Sequence, residues 1–141
     1  MQDANSPFCL TLGMIHKKML LICWVSGMLS CQSAPSFETA KDPLEAGRYF
    51  IASCLKGEFK EAQFYILKDS LNQIKLDSIS QSYFQLDKEG RQQLRQASIQ
   101  INNITTLDSS LAVLQYQNSF EKLARSVKIV RNEQGWQVDL K

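Results

Sequence analysis

The side chains that could do chemistry are few, and their positions narrow the choice. Cysteine occurs at Cys9, Cys23, Cys31 and Cys54, and the one histidine is His16. Everything after residue 16 therefore lacks imidazole, the commonest general base and metal ligand. That excludes His-based triads and His metal sites from the bulk of the chain. With no cysteine cluster either, a zinc or iron centre is not expected, and no cofactor is implied. Two thiols stand out. Cys31 directly follows a small residue, Ser30, at the end of an apolar run. Cys54 has apolar neighbours at helical spacing, so it reads as a small buried hydrophobe that does not react. The phenols Tyr49, Tyr65, Tyr83 and Tyr116 have no evident carboxylate partner in the sequence.

The stretch around Cys31 decides where the protein goes. Lys17 and Lys18 precede an apolar run from Met19 to Ser30. As a helix this run spans roughly 18 Å at 1.5 Å per residue, short of the about 30 Å hydrocarbon core. Cations, a short apolar segment and a small residue are the layout of a secretory signal. Met28-Leu29-Ser30-Cys31 resembles the lipobox of bacterial lipoproteins, with Met28 and Leu29 where the pattern has leucine and a smaller residue. The resemblance implies that Cys31 receives a diacylglyceryl group and becomes the mature N-terminus. Two or more acyl chains anchor stably, whereas one is marginal. The alternatives are a plain secretory signal and an uncleaved anchor. Residues 1–13 carry Asp3 and no cation, so the start expected for this signal is Met14. No acidic residue follows Cys31 until Glu38, unlike the acidic surface-export tags of some lipoproteins. A periplasm-facing, lipid-anchored place in the cell envelope is expected, with the membrane as first partner.

The chain divides into a leader and signal at 1–30, a tether at 31–41 and one domain at 42–141. The net charge is +2 and the charges are interspersed. Nucleic-acid binding needs a clustered basic face, so no nucleic-acid partner is expected.

The domain begins with helices. Asp42-Pro43-Leu44-Glu45 combines a cap, a proline at the first helical position and a capping-box glutamate. Leu44, Gly47, Phe50, Ile51, Cys54 and Leu55 form its apolar face, and Gly57 ends it. A second segment covers 58–67, with Phe59, Ala62 and Ile66 as its stripe. Asp69-Ser70 opens a third helix over 70–85, with Leu76, Ile79, Tyr83 and Leu86 turned inward. Asp87 to Gly90 breaks it, and 91–96 is one short turn.

Then the period changes to two. Ala97, Ile99 and Ile101 alternate with polar residues, a half-buried strand. Residues 107–110 are a turn, 111–118 a central strand, and 122–131 a third. After a loop at 132–135, Trp136, Val138 and Leu140 alternate with Gln137, Asp139 and Lys141. Asp139 thus points away from the Trp136 face. Helices followed by an antiparallel meander predict an α+β fold with helices on one face of the sheet.

Pro43, Ala46 and Tyr49-Phe50, followed by Lys56-Gly57-Glu58-Phe59-Lys60-Glu61-Ala62, resemble the opening of small bacterial lipoprotein domains with the nuclear-transport-factor-2-like (cystatin-like) fold. Some of these are labelled lumazine-binding-like. Asn132 to Leu140 resembles their last hairpin. The resemblance implies a curved sheet wrapped on the long helix with a cone-shaped cavity between them. Phe50, Tyr116 and Trp136 are the candidate cavity-lining residues, Trp136 having a core plug as its other reading. The expected function is non-catalytic binding of a small ligand or an envelope protein. The alternatives are an isomerase or dehydratase with a carboxylate–tyrosine site in the cone, as in some relatives of this fold, and a structural subunit of an envelope complex.

Overall fold

The structure, a computed structural model, describes residues 36–141. The expected leader and signal, and Cys31 with its expected lipid, lie outside the described residues. Ser36–Lys141 is a compact α+β unit of four helices and one four-stranded antiparallel sheet. The helices are α1 (Pro43–Lys56), α2 (Phe59–Phe64), α3 (Ser70–Gln85) and α4 (Lys88–Gln96). The strands are β1 (Ile99–Asp108), β2 (Leu111–Asn118), β3 (Arg125–Asn132) and β4 (Gly135–Asp139), in that spatial order, and the sheet is not closed. No helix among the described residues is long and apolar enough to cross a membrane.

α1 forms where its caps dictate. The Asp42 carboxylate accepts from the Glu45 amide at 2.7 Å, while Glu45 reaches back to the Lys41 amide at 2.7 Å. The helix ends at Gly57, whose φ of 79° is in the left-handed region. There the Gly57 and Glu58 amides donate back to Cys54 and Ser53 carbonyls, the closing pattern that a residue without a Cβ makes easy. A Cβ on Gly57 would also stand 2.6 Å from the Tyr83 ring. Along α1, Ala46, Gly47, Phe50 and Ile51 are buried against the sheet. Gly47 marks the closest approach, since a Cβ there would lie 2.5 Å from Leu114 Cδ2 and 2.9 Å from Ile129 Cδ1.

The core is the helix-facing side of the sheet. Ala112, Ile129 and Val138 stand in register across β2, β3 and β4, and all three are fully buried. Leu114 and Val127 form the next row. This is the period-two alternation of a sheet with one face on the core. β1 carries two register shifts opposite β2, at Ile101/Asn103 and Thr106/Asp108.

Several elements differ from the sequence reading. The second helix stops at Phe64, not Leu67. Residues 65–67 leave it to run parallel to β4: Val138 donates to the Tyr65 carbonyl at 2.7 Å and Leu67 donates to Val138 at 2.9 Å. Pairing the free edge of β4 satisfies backbone groups that three more helical residues would leave bare. The break at 87–90 is instead the start of α4, with the Asp87 carboxylate accepting from the Gly90 amide at 2.7 Å. α4 is nine residues long and buries a single side chain, Leu94. β1 runs on to Asp108, through the first two residues of the expected turn at 107–110, and β3 begins at Arg125 rather than Lys122. Residues 36–41, read as the end of the tether, rest on the domain. Ala40 is buried, the Phe37 and Phe64 rings are 5.5 Å apart, and the Tyr65 hydroxyl donates to the Glu38 carbonyl at 2.9 Å.

Candidate functional site

A cavity of about 360 Å³ opens beneath α3, a size within the range of small-ligand pockets. It exists because α3 is propped over the fold. The backbone of α3 comes closest to α2, and its side chains bridge to the rest. Its floor is apolar and buried: Phe50 and Ile51 from α1, Tyr83 from α3, and Leu94 from α4. Leu55 and Leu86 extend the apolar wall. One rim is α3 itself, through the exposed side chains of Ser78, Ile79 and Ser82. The other is the end of β2 and the loop to β3, through Tyr116, Asn118, Glu121 and Arg125.

The polar rim is built by a short network. The Asn118 side-chain oxygen Oδ1 accepts from the Phe120 and Glu121 amides at 3.1 and 2.7 Å. Its amide nitrogen donates to Glu121 Oε2 at 2.7 Å. One guanidinium nitrogen of Arg125 sits 3.2 and 3.1 Å from the two Glu121 oxygens. The loop that allows this contains Lys122 at φ 55°, a backbone position that few residues other than glycine adopt. Tyr116 faces Arg125 across β2 and β3. Burial pushes its phenol up to about 12, with Arg125 pulling slightly the other way. It therefore remains a hydrogen-bond donor at neutral pH.

Cys54 lines the same cavity and is half-buried rather than fully enclosed. Burial pushes its thiol up to about 12, so it is not poised as a thiolate nucleophile.

Of the candidate cavity residues, the structure brings Phe50 and Tyr116 together and sets Trp136 elsewhere. Trp136 packs half-buried against the core and lines a separate recess with Thr39, Lys68 and Gln134. Its ring lies 5.9 Å from the Arg131 guanidinium carbon, within cation–π range. The expected inward stripe of α3 needs correction too. Leu76 and Tyr83 are buried, but Ile79 is 37 % exposed and Leu86 half-buried, because the space under them is the cavity.

A second polar cluster ties α3 to the end of the chain. Asn72 is fully buried. Its amide nitrogen donates to Asp69 at 2.7 Å and Asp139 at 3.3 Å, and its oxygen accepts from the Leu140 amide at 2.6 Å. Lys128 pairs with Asp139 at 2.7 Å and Lys141 with Asp69 at 3.1 Å. Asp139 does alternate with Trp136, yet it is only 7 % exposed, since the start of α3 covers it. Burial raises the Asp139 carboxyl, but Lys128, the Lys141 amide and Asn72 together outweigh this and hold it below its ordinary value. The Asn72 backbone and side-chain amides, helped by Lys141, hold Asp69 at about 2. Every strong acceptor here has a donor, so the cluster is a latch and not a reactive site.

The sequence reading missed Leu94, Asn118, Glu121 and Arg125. Leu94 had a usable signal, being the one large apolar residue in Lys88–Gln96. Glu121 just precedes the segment read as a strand, 122–131, and Arg125 lies within it, so their i,i+4 spacing carried no signal on its own. The chain matches no family model, no curated protein and no solved structure.

Proposed function

We propose that this protein is a cell-envelope lipoprotein, held on the membrane through lipid at Cys31 and facing the periplasm, whose domain binds a small molecule without transforming it. The cavity beneath α3 carries the binding part of this reading. It is concave, mainly apolar and has a few convergent polar groups at one end, the make-up of a ligand site. A cone of the nuclear-transport-factor-2-like kind is the architecture we favour. Helices on one face of an open antiparallel sheet, a cavity between them, and register shifts of the sort that bend a strand support it. The lipid anchor rests on the charged, apolar and small-residue order before Cys31.

An enzyme reading has one observation in its favour inside the cavity: Tyr116 and Glu121 both line it. Contrary to the sequence expectation a tyrosine–carboxylate pair does form, Tyr49 donating to Glu45 at 2.9 Å, but outside that lining. A proton-abstracting carboxylate needs free lone pairs toward its substrate. Both oxygens of Glu121 are already engaged by Arg125, and one also by Asn118, which weighs against that role.

The test is mass spectrometry of the protein purified from native membranes. A lipid-sized mass increment on Cys31 and a small molecule that co-purifies and is recovered unchanged are expected. Cys31→Ala should lose the increment and leave the detergent phase on partitioning. A Cys31→Ala protein that stays in the detergent phase with unaltered mass would refute the anchor. A wild-type preparation that converts the bound molecule would replace binding by catalysis.

A further inference from the structure

The two ends of the cavity differ in kind, and the difference specifies a ligand class. The floor and inner wall present Phe50, Ile51, Leu55, Leu86 and Leu94, with no charged group among them. The charged groups lie at the rim, on half-exposed Glu121 and Arg125. At that rim each side-chain oxygen of Asn118 and Glu121 already has a donor, while not every donor has an acceptor. The Glu121 oxygens take Arg125 and Asn118, and the Asn118 oxygen takes two loop amides. Arg125 engages Glu121 through one nitrogen alone, which leaves the rest of its planar fork available. The Tyr116 hydroxyl makes no hydrogen bond among the described residues and adds a further donor. A rim with spare donors, one of them on a guanidinium, is matched by an acceptor-rich anionic head. An apolar floor is matched by a hydrocarbon tail.

We propose that the cavity takes a single-chain carboxylate amphiphile, its tail on the Phe50–Leu94 floor and its head at Arg125 and Tyr116. The proposal rests on the reading of this cavity as a ligand site and names what enters it. A neutral alcohol of the same length could fill the floor but would leave the guanidinium without a charged partner. An amine would meet Arg125 as a like charge. Glu121 has a defined part as the internal carboxylate that holds Arg125 when the site is empty and competes with the ligand head.

The experiment uses the full chain released from non-ionic micelles in native mass spectrometry, with decanoate, decanol and decylamine as probes. Decanoate should give the highest occupancy. Arg125→Gln should weaken decanoate about tenfold or more, as expected for loss of a hydrogen bond to a charged group, and leave decanol unchanged. Glu121→Gln should tighten decanoate, because the competing carboxylate is gone. Ile79→Trp, at the exposed α3 rim, should block decanoate and decanol alike, which places the binding in this cavity. If decanol binds as well as decanoate and Arg125→Gln alters neither, or if decylamine is preferred, the carboxylate class is overturned while the cavity reading stands. If the wild type takes up none of the three, the proposal and the cavity reading both fall.

Discussion

α1 and α3 are of similar length and both cover the fold, yet they are held in opposite ways. α1 buries a continuous apolar stripe directly on the sheet, with Gly47 letting the backbones close in. α3 exposes Leu71, Ile74 and Phe84, sends only Leu76 and Tyr83 inward as large apolar side chains, and buries an asparagine. Its start is fixed by the Asn72 latch, and its end by Tyr83, whose hydroxyl donates to the Lys56 carbonyl at 3.2 Å and accepts from Arg95 at 3.0 Å. Between those two ties lies the cavity. A helix driven down by apolar area closes on what it covers. A helix pinned at its ends by directional polar contacts can span an open space.

The contrast is broken most directly by truncating one apolar residue on each helix. Ile51 is 2 % exposed and Ile74 62 % exposed. Ile51→Ala should cost about 2–5 kcal/mol, as for other large-to-small core changes. Ile74→Ala should stay within about 0.5 kcal/mol. Urea melts of the two variants measure both. Equal losses would mean that α3 packs as α1 does.

The next largest effect tests the latch. Asn72→Leu keeps the heavy-atom count and branching of the side chain, is somewhat bulkier, and removes the donor to Asp69 and Asp139 and the acceptor for the Leu140 amide. At an ordinary apolar position leucine would be tolerated. Here it should cost roughly 3 kcal/mol, because buried polar groups are left unpaired. Leucine as stable as wild type would remove the polar account of how α3 is held.

Acid should act on the same latch. Asp69 and Asp139 both have folded-state pKa values below their ordinary ones. A depressed carboxyl contributes stability that is present above its unfolded pKa and is lost as pH falls through the folded value. For Asp69 the window runs from the unfolded value near 4 down to about 2. The melting temperature should fall across that window, and the fall should be shallower in Asp69→Asn. An unchanged slope would show that Asp69 gains nothing from Asn72 and Lys141.

What could be read in the sequence follows the same division. α1 was legible to its ends because Asp42, Pro43, Glu45 and Gly57 are local signals and its stripe has one period. Both ends of α3 were legible for the same reason, through Asp69 and the break before Asp87. Its inward face was not, since Ile79 obeys the right spacing and stands over a cavity, while Asn72 is buried only because Asp139 and Leu140 arrive from the far end of the chain. Phe50 was placed by the apolar face of α1, while Tyr116 was named only for the cone that the resemblance implies. Trp136 was named for the same cone and lines a different recess, with Thr39, Lys68 and Gln134. The rim formed by Asn118, Glu121 and Arg125 depends on a loop turned by Lys122 at positive φ, which no periodicity announces.

The smallest effect belongs to Cys54, which lies on α1 but faces the space that α3 leaves open. At Cys54 a serine can turn to the carbonyl one turn back, as Ser53 does to Tyr49 at 2.7 Å, or meet the cavity. Cys54→Ser and Cys54→Ala should therefore both cost about 1 kcal/mol or less, given about 0.8 kcal/mol for a buried methylene. Reactivity gives the sharper reading. Burial holds the thiol at about 12, and the C-terminal end of α1 disfavours a thiolate, so alkylation near neutral pH should be far slower than in the unfolded chain. The Cys54 peptide is followed by mass to separate it from other thiols. Decanoate seated on the cavity floor should slow the reaction further, and Arg125→Gln should remove that protection. Labelling as fast as in urea would show that the wall between α1 and α3 is open to solvent, and the distinction drawn between the two helices at this point would be lost.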